Sequence, residues 1–324
     1  MSLTSELRTP GSKTRIFFDL HFPNLKPMAR KFNEELKQQS FPVDAPYESA
    51  ILYAVSGTAI DYRIRAYFSP DFYTSPAITG GLKRLETTTI GGEINPFQDS
   101  WRDSLSSKQR TLAWRLFDEI SEELRKLNSS RTILDKNDNL RVCTICVLLA
   151  SIDNCSRGDS EAISYLSKIG SSNLEEMISK IDQKISADVV RITDLFAVGN
   201  FGLIASVRNT LCGVKFDGSD DIGGADCDLI CDGVLIECKS LKKPKFNTDY
   251  FRQLVGYYLL DYNDKMSITE FRVYFSRHAH WLTIDLKVVF AGKDISKLRG
   301  DFQKEMQQLR KQREERWKNF LHLN

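Results

Sequence analysis

The chain has 324 residues, 41% of them hydrophobic and 27% charged, which suits one large globular domain or a core with a smaller subdomain. A net charge of +2 neither demands nor excludes a nucleic-acid partner, so any basic surface has to come from local clusters. The longest apolar run, Val142 to Ile152, falls well short of the roughly 20 residues that span a bilayer, and seven cysteines, an odd number, read as reduced thiols.

No hydrophobic secretory segment opens the chain, and a cytoplasmic location with no membrane partner is expected. Residues 1–44 are mixed in character, with Pro10-Gly11, Pro23 and Pro27 expected to break any long element. From Tyr47 to Phe68 the sequence predicts a helix or helix pair with one apolar face. A Gly/Pro/Thr-rich stretch, Ser69 to Pro96, predicts loops with short elements.

Residues 106–128 form the clearest amphipathic helix. Leu112, Leu116, Ile120, Leu124 and Leu127 recur at helical spacing behind Ser106 or Ser107 as the N-cap. An apolar helix follows at about Leu140 to Ile152, then two shorter helical patterns between Ser160 and Ile185. The texture turns to short β runs near Leu211: LCGVKF, ADCDLIC, VLIECKSL, FRVYF and HWLTIDL, with the helical DYFRQLVGYYLLDY between the third and fourth. This order predicts a mixed α/β core. The tail, Ile295 to Leu323, reads as a charged helix whose Leu298, Phe302, Met306 and Leu309 pack on the core or on a partner.

Chemistry concentrates in GGADCDLICDGVLIECKS, Gly223 to Ser240. Asp232-Gly233 between two β runs predicts a two-residue type I′ turn. That turn would pair Cys231 with Val234, Leu229 with Ile236, Asp228 with Glu237 and Asp226 with Lys239. Alternation then puts Asp226, Asp228, Ile230, Leu235, Glu237 and Lys239 on one face. Cys227, Leu229, Cys231, Val234, Ile236 and Cys238 form the opposite, apolar face. Three carboxylates crowded on adjacent strands repel unless neutralised, and a hard cation such as Mg²⁺ or Mn²⁺ would do so. Lys239 could then orient the attacking water or stabilise developing negative charge. Surface charge on an edge hairpin is the plainer alternative, and it explains less well why the other face is wholly apolar.

In this pattern the sequence resembles the PD-(D/E)xK nuclease superfamily, specifically its RecB-like branch. The resemblance matches the first aspartate to Asp226, with Asp228 as a second candidate. It matches the Glu-x-Lys to Glu237-Cys238-Lys239, and the Gln-x-x-x-Tyr helix to Gln253 and Tyr257. A looser match, GTAIDYRIR, brings Asp61 in as an accessory metal ligand. It implies a restriction-endonuclease-like core, a mixed central sheet flanked by helices, with a helical insertion and a C-terminal helix. The implied division is an N-terminal segment (1–44), a first core part (45–99), the insertion (100–190), the catalytic core (191–292) and the tail (293–324).

The implied function is a metal-dependent nuclease cleaving phosphodiester bonds of DNA, in defence or repair, with RNA left open. The expected metal ligands are Asp226, Asp228, Glu237 and Asp61; the expected catalytic set adds Lys239, Gln253 and Tyr257. Lys242, Lys243, Lys245 and Arg252 would meet phosphates, Arg63 and Arg65 flank Asp61, and Phe246, Tyr250 and Tyr257 could stack on bases. Alternatives are a non-cleaving nucleic-acid or protein-interaction module, or a subunit active only in a larger complex, with the tail helix as partner or self-association surface.

No iron–sulfur cluster is expected, because in the RecB-like enzymes that carry one, three cysteines follow the Gln-x-x-x-Tyr helix, and here none follows Cys238. Cys143 and Cys146 read as core residues of an apolar helix. His278 and His280 fall on one strand face with nothing nearby to complete a metal set. Neither a nucleophile-elbow pattern nor a phosphate-binding P-loop is present.

Overall fold

A computed structural model of the chain describes residues 2–39, 43–87, 112–127, 134–156, 160–171 and 173–322. Ser106, Ser107 and the first turn expected for the 106–128 helix lie outside the described residues. Five strands form one sheet in the order β1 (Thr210–Lys215), β2 (Asp226–Cys231), β3 (Val234–Lys239), β4 (Glu270–Phe275) and β5 (His280–Asp285). All neighbours are antiparallel except β3 and β4, which run parallel. A parallel pair needs a crossover, and the helix expected between the third and fourth runs supplies it.

One helical layer covers the sheet through α4 (Ala50–Ala66), α5 (Pro76–Thr87), α6 (Leu112–Leu127), α7 (Lys136–Ser156), α8 (Ser160–Ile169), α9 (Leu174–Lys180), α10 (Gln183–Gly199) and α11 (Phe201–Ser206). The opposite layer holds α1 (Leu3–Arg8), α2 (Lys13–His21), α3 (Leu25–Gln39), α12 (Ser219–Ile222), the crossover α13 (Thr248–Leu260), α14 (Leu286–Val289) and α15 (Ile295–His322). Each layer seals its own apolar cluster against one face of the sheet.

Several expectations yield to packing. Pro27 does not stop a helix, because it sits at the third position of α3, where a missing N–H costs no intrahelical bond. The stretch after Ser69, expected as loops with short elements, carries the 12-residue helix α5; Gly81 lets it lie directly on α7, since a Cβ there would stand 1.9 Å from the Ile152 carbonyl oxygen. α4 has no single apolar face: almost every residue from Val55 to Ala66 is buried, because the helix is clamped between the sheet and α7 and α10. Its polar residues must therefore find partners indoors. α10 runs through residue 190, so the helical block has no break at that boundary.

Leu298, Phe302, Met306 and Leu309 are all buried against the core, which decides where the apolar stripe of the tail goes. Cys143 and Cys146 are fully buried in the helical layer, and all seven cysteines are free thiols. His278 is not on a strand: it lies in the 3-10 turn Ser276–His278 after β4, with Ala279 at φ 47° turning the chain into β5. Among the described residues no helix is long and apolar enough to cross a membrane.

Candidate functional site

The turn that organises the site forms as its two residues require. Asp232 and Gly233 have φ values of 46° and 82°, and the Asp232 carboxylate accepts from the Arg208 and Asn209 amides at 3.0 and 2.9 Å. From there β2 and β3 pair Cys231 with Val234, Ile230 with Leu235 and Leu229 with Ile236. The ladder then stops, so the expected pairs Asp228–Glu237 and Asp226–Lys239 are not made.

Asp228 is the cause. In a continued ladder the Cys238 N–H would go to the Cys227 carbonyl; instead it donates to Asp228 Oδ2 at 2.8 Å. The Asp228 N–H in turn donates to Glu237 Oε1 at 3.4 Å. Opposite, on β1, Gly213 adopts a left-handed backbone (φ 57°). Alternation along β2 breaks at this point. Leu229 and Cys231 face the α4 layer as expected, but Cys227 is buried in the other cluster beside Val214. Asp228 therefore turns toward α4, while Glu237 and Lys239 keep the α13 side.

A hydrogen-bonded chain joins the two layers through this opened end of the hairpin. Arg65 on α4 grips Asp61, one turn earlier on the same helix, with Nε and Nη2, and its Nη2 also donates to Asp228 Oδ1 at 2.6 Å. Across the strands, Lys239 Nζ donates to Glu237 Oε2 at 2.6 Å and to Gln253 Oε1 at 3.5 Å. Gln253 Nε2 donates to the Tyr257 hydroxyl at 2.7 Å. Gln253 and Tyr257 meet because four residues make one helical turn, and α13 is started by Asn247, whose side chain caps the Tyr250 amide at 2.8 Å. Tyr257 stacks on Phe216, ring centroids 5.5 Å apart, which fixes its ring. Asp226, in register with Lys215 of β1, is half-buried, and its charge acts on the Tyr257 hydroxyl together with those of Glu237 and Asp228.

Burial sets the electrostatics. It pushes Asp61 up to about 8, against the pull of Arg65 and with Asp228 adding to the rise. Burial likewise lifts Glu237 to about 7, with Asp228 adding and Lys239 opposing. For Lys239 burial works against the charge, but Glu237 and Asp228 outweigh it and hold the ammonium protonated far above neutrality. The Cys238 thiol, pushed well up by burial, stays neutral. One ligand-type atom each from Asp61, Asp228 and Cys238 lies within 4.8 Å of the others.

α4 reaches the strand end because Gly57 has no side chain: a Cβ there would stand 3.3 Å from Ser240 Cβ, the residue following Lys239. The structure thus gathers Asp61, Asp228, Glu237, Lys239, Gln253 and Tyr257, with Asp226 beside them. It also brings in Arg65, expected only as a flanking basic residue. The i, i+4 spacing of Asp61 and Arg65 was the sequence signal for it.

The expected binding residues divide. Lys242, Lys243 and Lys245 are exposed on the loop after β3, with Lys242 Nζ 5.3 Å from the Tyr53 ring centre. Arg252 does not join them: it is buried and paired with Asp249 at 2.8 Å and Asp19 at 2.5 Å, tying α13 to α2. Arg63 is likewise turned inward, onto Asn139 and the Tyr67 ring. Phe246 and Tyr257 are core residues and present no open face for a base, whereas Tyr250 is half-buried with its ring 5.1 Å from Lys239 Nζ. Compared with protein-family models, curated proteins and solved structures, the chain matches none of them.

Proposed function

We propose that the chain is a metal-dependent nuclease of the PD-(D/E)xK type on a restriction-endonuclease-like core, cleaving phosphodiester bonds of DNA. The observation that carries this reading is the unbroken chain from Asp61 through Arg65, Asp228, Glu237, Lys239 and Gln253 to Tyr257. Surface charge on a solvated hairpin would not be buried or cross-linked to both helical layers.

Two carboxylates within reach of each other suit a hard divalent cation that takes its remaining ligands from water and substrate. Asp61 and Asp228 are the carboxylates that already stand within reach of one ion, with Glu237 and Asp226 on the neighbouring strand positions, and the Arg65 guanidinium bridging Asp61 and Asp228 supports reading this pair as a cation-binding one. Cys238, a neutral thiol, suits such an ion poorly and is not counted as a ligand. When bound, Mg²⁺ or Mn²⁺ would supply an acidified water and charge stabilisation at the phosphoryl oxygens.

The chain's own groups do the rest. Lys239, kept charged, acts as a hydrogen-bond donor toward the nucleophile or the developing anion rather than as a base. Gln253 holds the ammonium from α13, and Tyr257 holds Gln253. Lys242, Lys243 and Lys245 line the exit of the hairpin, where a phosphate backbone would pass.

Incubating the full chain with linear and circular DNA, and with RNA, under Mg²⁺, Mn²⁺ or EDTA tests the reading. Metal-dependent cleavage is expected, falling by about a hundredfold or more in Lys239→Ala and Glu237→Gln. A Lys239→Ala protein as active as the parent, or no cleavage of any substrate, overturns it. One observation favours a second reading, a non-cleaving binding module: Arg65 and Lys239 already compensate the carboxylates without a metal. Nucleic-acid binding without Mn²⁺ binding would select it. A protein partner on α15 would meet the exposed charges Arg310, Lys311, Glu314, Glu315 and Arg316, because the apolar stripe is spent on the core.

A further inference from the structure

Arg65 occupies a built position. Its side chain is only 6% exposed. It is gripped by Asp61 of its own helix, lies 5.2 Å from the Tyr62 ring centre, and donates across to Asp228 on β2. The left-handed Gly213 lies against it, leaving 3.8 Å between Nη1 and the place a Cβ would take. With so little water around it, the guanidinium screens the two carboxylates far more than a surface arginine would.

The same Asp228 is the carboxylate that the metal reading needs. A buried anion satisfied by one cation is not handed to another without breaking that first pair. We propose that Arg65 is an internal counter-cation: it holds Asp61 and Asp228 together in the metal-free protein and competes with a divalent metal for Asp228. The inference rests on the nuclease reading for the metal, and on the Arg65 geometry for the competition. A metal held by Asp228 would displace Arg65 from that carboxylate, while Asp61, one turn back on α4, would keep the guanidinium in place. Arg65 is thus a positioning residue that sets the metal affinity and keeps the empty carboxylates from repelling.

The test is Mn²⁺ binding to the full chain without nucleic acid, followed by the electron paramagnetic resonance signal of free Mn²⁺, for the parent, Arg65→Gln and Arg65→Lys. Arg65→Gln is expected to bind Mn²⁺ about tenfold more tightly or better, the size of an ordinary site-to-site coupling. Arg65→Lys, which keeps a cation, should stay near the parent. Equal or weaker binding by a folded Arg65→Gln, with the parent binding normally, overturns the competition and leaves the nuclease reading standing. No Mn²⁺ binding by parent or variant removes the metal site, and this inference with it. Should Arg65→Gln be unfolded without metal, Mn²⁺ must raise its thermal midpoint by more than it raises the parent's, and a smaller rise overturns the proposal.

Discussion

Asp228 has two jobs that ordinary substitutions separate. Its Oδ2 replaces a strand carbonyl as acceptor for the Cys238 amide, and its charge meets Arg65. Asp228→Asn keeps an acceptor for the Cys238 amide but loses the one facing Arg65, which retains Asp61; it should be less destabilised than Asp228→Ala while losing Mn²⁺ affinity. Asp228→Ala strands the Cys238 N–H and should cost about 1–3 kcal/mol of unfolding free energy. Thermal melts and Mn²⁺ titrations of both variants separate the roles; equal stability of Asn and Ala variants would deny the backbone role. The strand pattern carried the identity of this residue but not its direction. Alternation assumes a continuous ladder, and a carboxylate that captures a neighbouring amide ends the ladder without leaving a mark in hydrophobic periodicity. Arg252 misled for a related reason: a basic residue opening a helix looks the same whether it faces solvent or, as here, Asp19 and Asp249.

Elements with strong local signals were legible. The Asp232-Gly233 turn needs positive φ at both residues, and few sequences supply it; the Gln253/Tyr257 pair follows from helical spacing alone. Elements whose character is set by their neighbours were not. α4 reads as amphipathic and is buried all round because two helices and a sheet enclose it, and α5 hides in a Gly-rich stretch because those glycines serve contact rather than looping. The α5–α7 contact gives a test at this scale. Gly81→Ala would drive a methyl group into the Ile152 carbonyl and should destabilise the chain by about 1–3 kcal/mol or more, read as a lower urea midpoint. An unchanged midpoint would mean that the two helices do not meet there.

Across the whole molecule, a second buried ion pair besides Arg65–Asp228 ties the helical layer to the end of the sheet. Asp188 of α10 accepts from Arg277 at 2.6 Å, in the turn after β4, and from the Tyr47 hydroxyl at 2.6 Å; Arg277 also donates to Ser56 of α4 at 2.8 Å. Burial alone would raise the Asp188 carboxyl, but hydrogen bonds from Arg277 and Tyr47 outweigh it and hold it below the usual carboxylate range. With the folded value depressed, the stabilisation is present above the unfolded value of about 4 and is lost as pH falls through the folded value. Urea midpoints should therefore drop below about pH 4 in the parent. Asp188→Asn should lose about 3–5 kcal/mol at pH 7, because Arg277 is left buried without its counter-charge, and should show a flatter acid limb. Parallel acid limbs in parent and variant would contradict this assignment.

Gly57 carries a last implication. Because that helix rests its bare backbone on Ser240, the strand end acts as a stop that sets how far α4 can advance. Asp61 and Arg65 stand one and two turns beyond the stop, so their reach toward Asp228 is gauged from the residue next to Lys239. Two parts of the sequence remote from each other are kept in close register by an absent methyl group, and a side chain at 57 would ask Ser240 or α4 to give by a few tenths of an ångström at this contact.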